Sequence, residues 1–148
     1  MKKFYYILLL SFMLIGFSAD AQRQRPNPGE IEAQKTAFIT NNLDLTPEQA
    51  QKFWPIYNAS EKRMESIRRQ QREALMKVRL NGGAVSDSEA WDLIENLMSW
   101  EQSMLDERKN LVAQLKGVVT PQQILKLKRA EEEFKRRLLQ AMQRRRKN

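Results

Sequence analysis

The sequence has 148 residues, and its 26 lysines and arginines outnumber its 18 aspartates and glutamates, giving a formal net charge of +8. It contains no cysteine and no histidine, which excludes disulfides, Ser–His and Cys–His catalytic pairs, and the usual protein ligands of transition metals. The length fits a single domain, and the positive charge favours partners with acidic or anionic surfaces.

The first 21 residues have the pattern of a secretory signal peptide. Two lysines precede an apolar stretch at residues 4–17, and an A-x-A site at 19–21 predicts cleavage before Gln22. The apolar stretch is short for a membrane span, although an uncleaved N-terminal anchor is the alternative. We therefore predict a periplasmic protein, for which nucleic acid is the least expected of the anionic partners.

The remainder is predicted to be a short leader followed by one helical domain. Residues 22–29 contain two prolines, one glycine and two arginines, which predicts a flexible leader. From residue 30 to residue 148 the apolar residues recur mostly at spacings of three and four, which is typical of helices. The first helix is expected over 30–42, where the apolar stripe is thin.

Three long helices are predicted after it. The second runs from Thr46 to about Leu80, and Pro55 inside it is expected to cause a kink or a break. The third runs from Ser86 to about Gly117, and the fourth begins at Thr120 and ends in a basic tail.

These elements predict an all-α fold of one short and three long helices. Because the connections are short, neighbouring helices should run antiparallel, as a thin, hairpin-like layer. A thin layer leaves one apolar face uncovered, so we predict a homodimer that still exposes some apolar surface. The aromatic candidates for that face are Trp54, Tyr57, Trp91, Trp100 and Phe134.

Two similar stretches, LTPEQ at 45–49 and VTPQQ at 119–123, each have the pattern of a helix start. The threonine of each is a predicted N-cap, the proline takes the first helical position, and the last glutamine completes a capping box. Ser86 and Glu89 predict a third capping box at the start of the third helix. Helix initiation alone explains the local chemistry of both stretches.

The two stretches also resemble the L-T-x-x-Q motif, which occurs twice in proteins of the Spy/CpxP family. The resemblance implies a cradle-shaped antiparallel dimer of long helices, with ATP-independent chaperone activity toward unfolded clients in the periplasm. Some relatives act in envelope stress signalling or bind metals, and FWPIYN at 53–58 is similar to a branch labelled as sensors linked to extracytoplasmic-function sigma factors. Metal-binding relatives use His and Cys, so no metal or other cofactor is predicted here. The motif residues are Leu45, Thr46, Gln49, Val119, Thr120 and Gln123.

The second helix carries the candidate client-binding residues. Its basic residues are expected to attract acidic unfolded clients by long-range charge, and its flexible methionines suit adaptable apolar contacts. A solvated charged face and an ordinary apolar core are the alternatives. The candidates are Arg63, Met64, Ile67, Arg68, Arg72 and Met76.

No enzyme activity is predicted, because no nucleophile–base pair can be assembled without His or Cys. The consecutive Glu131, Glu132 and Glu133 point in different directions on a helix and, with the KRR that follows, are expected to form charge pairs across turns. The basic tail is expected to be solvated, with contact to anionic lipid as the alternative.

The sequence therefore predicts an ATP-independent periplasmic chaperone whose partners are unfolded proteins and a second copy of itself. The main alternative is an envelope-stress sensor or regulator, linked to an extracytoplasmic-function sigma factor system, that binds one specific membrane partner.

Overall fold

The computed structural model describes residues 27–147, apart from the side chains of Arg145 and Arg146. This part of the chain contains four helices and no strand: α1 is Pro28–Leu43, α2 is Pro47–Leu80, α3 is Asp87–Leu115 and α4 is Pro121–Lys147. The predicted all-α fold of one short and three long helices is confirmed. The predicted signal peptide and residues 22–26 of the leader lie outside the described residues.

One predicted helix start and one predicted helix break need correction. α1 begins at Pro28, so the last two residues assigned to the leader belong to the helix. α2 continues through Pro55, so the predicted break does not occur. Pro55 is exposed to solvent, where the carbonyl that loses its intrahelical donor can bind water instead.

The predicted capping boxes start the three long helices. The Thr46 hydroxyl accepts from the Gln49 N–H at 3.2 Å, and the Gln49 side chain accepts from the Thr46 N–H at 3.2 Å. Thr120 and Gln123 form the same pair of bonds at 2.8 and 3.2 Å, and Ser86 and Glu89 form it at 2.8 and 3.3 Å. Each box gives a partner to two backbone N–H groups that a helix start would otherwise leave without one.

α1 ends in a turn that the sequence did not reveal. Asp44 adopts a left-handed conformation with φ of 51°, its N–H donates to the Asn41 carbonyl, and the Leu45 N–H donates to the Thr40 carbonyl at 3.2 Å. These are the two hydrogen bonds of a Schellman motif, in which glycine is the usual residue at the left-handed position. Asp44 therefore has a strained backbone conformation. Its side chain also forms an ion pair with Lys126 at 2.8 Å.

The unit formed by residues 34–148 contains the core. Within it, Arg63 on α2 bonds Glu107 on α3, and Gln70, seven residues later on α2, bonds Trp100, seven residues earlier on α3. The two helices therefore run antiparallel. α2 and α4 run in the same direction, since Gln49 bonds Gln123 and Tyr57 bonds Glu131, and both pairs are 74 residues apart in the sequence. The buried core residues are Ile39, Leu43, Phe53, Tyr57, Leu111, Leu115, Val119, Leu127 and Ala130.

Candidate functional site

A groove of about 570 Å³ lies between α2, α3 and α4. Such a volume is within the range of pockets that bind small or extended ligands. Its lining residues are Glu61, Met64, Arg68, Arg108, Leu111, Val112, Leu115, Ile124, Leu125, Leu127, Lys128, Glu131 and Glu132.

The floor of the groove is apolar and forms part of the core. Met64 on α2 is only 4% exposed, and Leu115 on α3 and Leu127 on α4 are also buried. At the edge, Leu125 is 76% exposed and Val112 is less so. The groove thus offers a rigid apolar surface with two accessible aliphatic side chains, which an apolar segment could cover.

The charges of the rim have both signs, but the acidic ones are mostly engaged. The Glu61 carboxylate accepts from Lys35 Nζ at 2.6 Å, and Glu131 Oε1 accepts from the Tyr57 hydroxyl at 2.9 Å. Among the described residues, Arg108 and Lys128 have no carboxylate within ion-pair distance, and of the three acidic lining residues Glu132 alone has no hydrogen bond or ion pair of its side chain. The charge that the rim presents to a ligand is therefore mainly positive.

Glu131, a half-buried residue of the groove lining, is bonded to the buried Tyr57. Burial raises the pKa of Tyr57, and burial also raises the pKa of Glu131 above its usual 4.5, although the hydrogen bond from Tyr57 acts in the opposite direction. Lys35 lies 5.0 Å from the centre of the Tyr57 ring, a cation–π distance. Glu131 was predicted to pair with a cation across a helical turn, and instead it faces inward, whereas Glu133 does pair with Arg137.

The two motif copies meet beside this core. The Gln49 amide donates to Gln123 Oε1 at 3.0 Å, and the Gln123 amide donates back to Gln49 Oε1 at 3.0 Å and to the Leu43 carbonyl at 3.0 Å. The last residue of α1 and the first turns of α2 and α4 are thus joined by one hydrogen-bond network. Sequence reasoning treated the copies as independent helix caps and missed this contact, although the repetition of glutamine at the same position was a signal.

The predicted client-binding residues of α2 do not share one surface. Met64 and Arg68 line the groove, and Met64 belongs to its buried floor. Arg63 and Ile67 line a different, shallow depression between α2 and α3, where Arg63 forms a double hydrogen bond with Glu107 at 2.8 and 2.9 Å.

The last two candidates lie farther along α2. Arg72 pairs with Glu65 at 2.6 Å, and Met76 is half exposed. Among the aromatic residues predicted for an open face, Tyr57 is buried, because its ring stacks on Phe53. Trp91 is 66% exposed, and the other three are partly buried.

Residues 27–147 contain no group of three or more acidic side chains arranged to hold a metal ion. No helix in the same range has the length and apolar character needed to cross a bilayer.

Comparison with known proteins gave one match. The family model described as LTXXQ motif family protein matches residues 31–131, which include both motif copies, the whole buried core and every groove-lining residue except Glu132. No curated protein and no solved structure matches the chain.

Proposed function

The chain belongs to the LTXXQ motif family, which is the Spy/CpxP type, and we propose on this basis that it is an ATP-independent chaperone of the periplasm. Members of this non-enzymatic helical family are typically periplasmic. In our proposal the groove between α2, α3 and α4 holds short apolar segments of unfolded clients. The observation that carries the proposal is the combination of an apolar floor with a rim whose unpaired charges are mainly basic, Arg108 and Lys128 against Glu132.

The groove chemistry suits weak binding of many sequences. The floor offers aliphatic and methionine side chains, and its half-buried carboxylate, Glu131, is already bonded to Tyr57, so it demands no specific partner from a client. The basic rim would attract acidic unfolded chains before apolar contact forms, so the association rate should fall as ionic strength rises.

A second apolar surface, near the end of α2, supports the same function. Leu75, Met76 and Leu80 are all exposed. Exposed apolar residues in such number on neighbouring turns indicate an interaction surface, and methionine adapts to varied partners. Met76 is therefore retained as a client-contact residue in the proposal.

One stripe of α3 supports a homodimer. Trp91, Met98 and Leu105 are exposed at successive heptad positions, about a third of a turn from the side that faces α2. A sustained heptad stripe is typical of helices that pair with another helix. We propose that α3 of a second copy covers it.

The charges within this stripe favour antiparallel pairing. Glu101 and Arg108 share the intervening heptad position and are both exposed. In a parallel pair each residue would face its own copy, so like charges would meet. In an antiparallel pair whose two-fold axis passes between residues 104 and 105, Glu101 of one protomer lies beside Arg108 of its partner, so opposite charges meet twice.

The chaperone proposal is tested by suppression of aggregation without nucleotide. The chain beginning at Gln22 should prevent aggregation of several unrelated unfolded proteins at near-stoichiometric ratio. The double variant Val112→Gln/Leu125→Gln, which makes the groove edge polar, should weaken suppression several-fold. The matched control Leu139→Gln/Met142→Gln removes two similarly exposed apolar residues outside the groove and should retain it.

Two outcomes would contradict this proposal. Equal activity of the groove variant and the control would remove the groove from client binding. Failure with every client, together with tight binding to one envelope protein, would favour the sensor function instead.

A further inference from the structure

The positive charge of the chain is concentrated at one end of one helix. α4 contains ten lysines and arginines against three glutamates, whereas α3 contains seven acidic residues against two basic ones. From residue 135 to residue 147, α4 has seven basic residues and no acidic one. No other helix of the described chain has a comparable run of one sign.

This segment has an inner and an outer side. On the inner side Arg137 pairs with Glu133 at 2.5 Å, and its guanidinium lies 4.6 Å from the centre of the Phe38 ring. On the outer side Lys135 and Arg136 are exposed, and no carboxylate of the described residues lies within ion-pair distance of either. The inner side thus anchors the helix to α1 while the outer side presents its charge to solvent.

Apolar residues project among the outer cations. Leu139 is 51% exposed and lies three and four residues after Arg136 and Lys135, so the three side chains share one face of the helix. Met142 is also exposed on the next turn. We call the exposed side chains of Lys135, Arg136, Leu139 and Met142 the basic face.

We propose that the basic face binds the surface of an anionic phospholipid bilayer. A helix that carries clustered cations beside a few exposed apolar residues has the chemistry of an interfacial helix: the cations attract the lipid phosphates, and the apolar side chains enter the acyl boundary. A shallow depression lined by Glu132, Lys135, Arg136, Leu139, Gln140 and Gln143 marks this side of α4. A flat, extended array of cations suits a planar charged surface better than a single small anion or one acidic side chain.

The expected strength follows from the number of charges. A cation close to an anionic membrane strengthens binding by about fivefold, so loss of two cations should weaken it by about twenty-five-fold, and charge reversal by more. Attraction of this kind weakens with salt. Because two signals are needed for stable attachment, the apolar pair Leu139 and Met142 should matter most at high ionic strength.

The test is co-sedimentation of the chain beginning at Gln22 with vesicles of phosphatidylglycerol and phosphatidylcholine, compared with phosphatidylcholine alone. The mixed vesicles should bind at least tenfold more tightly. Lys135→Glu/Arg136→Glu should lose this preference by about twenty-five-fold or more. Lys52→Glu/Lys62→Glu, which changes the net charge equally at two exposed residues of α2, should bind like the wild type. Far-ultraviolet circular dichroism checks that each variant is folded.

A second pair of variants separates this inference from the chaperone proposal. Leu139→Gln/Met142→Gln should lose vesicle binding as salt is raised while it keeps aggregation suppression. Val112→Gln/Leu125→Gln should keep vesicle binding while it loses suppression.

Three results would overturn the membrane inference. The first is equal loss in the α2 charge control, which would reduce the effect to net charge. The second is equal binding to both kinds of vesicle. The third is a Lys135→Glu/Arg136→Glu variant that binds vesicles normally but no longer binds an acidic protein or a second copy, which would make the basic face a protein-docking surface.

Discussion

Replacing Gln123 by glutamate separates helix capping from the contact between the two motif copies. A glutamate at this position can still accept from the Thr120 N–H, as Glu89 accepts from the Ser86 N–H at 2.8 Å. It cannot donate, so the bonds to the Leu43 carbonyl and to Gln49 Oε1 are both lost. If capping were the whole role of the motif, Gln123→Glu would be neutral or slightly stabilising, because an acid suits the start of a helix.

The structure predicts a substantial loss instead. Each lost hydrogen bond contributes about 0.5–1.5 kcal/mol net, and an acceptor left without a donor in a part-buried site adds to this. The carboxylate would also lie beside two oxygens that carry partial negative charge. We expect Gln123→Glu to reduce the free energy of unfolding by about 2–3 kcal/mol, measured by urea denaturation followed at 222 nm.

The Ser86 box supplies the matched control. Glu89→Gln makes the reciprocal exchange in a capping box whose bonds are all local, so it should change stability by less than about 0.5 kcal/mol. In addition, the Gln49→Ala and Gln123→Ala variants each remove the same pair of amide–amide bonds. The loss of unfolding free energy in the double variant should therefore be about 1 kcal/mol smaller than the sum of the two single losses. Additive effects of the two alanine variants, or equal effects of Gln123→Glu and Glu89→Gln, would refute the network as the role of these glutamines.

Three further predictions concern separate parts of the chain. Because the pKa of Glu131 is raised in the folded state, wild-type stability should fall as pH rises above its usual 4.5, and Glu131→Gln should gain on the wild type over that range in urea titrations at several pH values. Asp44→Gly should raise the free energy of unfolding by about 0.5–1 kcal/mol by relieving the left-handed residue, whereas Lys126→Gln, which removes only the exposed ion pair, should change it by less than about 0.5 kcal/mol; equal effects would assign the change to the ion pair. In sedimentation equilibrium, Glu101→Arg and Arg108→Glu should each weaken the dimer by roughly tenfold or more, and the double exchange should restore it; single exchanges without effect would exclude antiparallel pairing of α3.

The sequence predicted the elements of the fold well because their signals are local. Capping boxes depend on residues three apart, and the glycine pair after Leu80 provides the left-handed residues that end α2. The end of α1 was harder to predict, since Asp44 takes a conformation that usually marks glycine. The turn contacts two residues of α4: the Gln123 amide donates to the Leu43 carbonyl, and Lys126 pairs with Asp44. Such contacts between distant residues are not encoded in a local sequence pattern.

The candidate site was predicted less completely because it depends on distances between helices. The apolar period of α2 identified Met64 but could not show that it faces a groove shared with α4. Arg63 and Arg68 look equivalent in the sequence, yet one bonds Glu107 on α3 and the other lines the groove. Which of several similar residues meets a partner is decided by the register between helices, and the motif network joins the starts of α2 and α4.

The contact between α2 and α4 explains why the motif ends in glutamine and not in glutamate. A capping box accepts glutamate or glutamine equally at its third helical position, and the chain uses Glu89 where the box stands alone. It uses glutamine at residues 49 and 123, where the side chain must cap its own helix and also donate to another. These bonds join the starts of α2 and α4, and the pairing of Tyr57 with Glu131 occurs at the same separation of 74 residues. The glutamines therefore hold α2 and α4 in the register that places Met64, Leu127 and Glu131 around one groove.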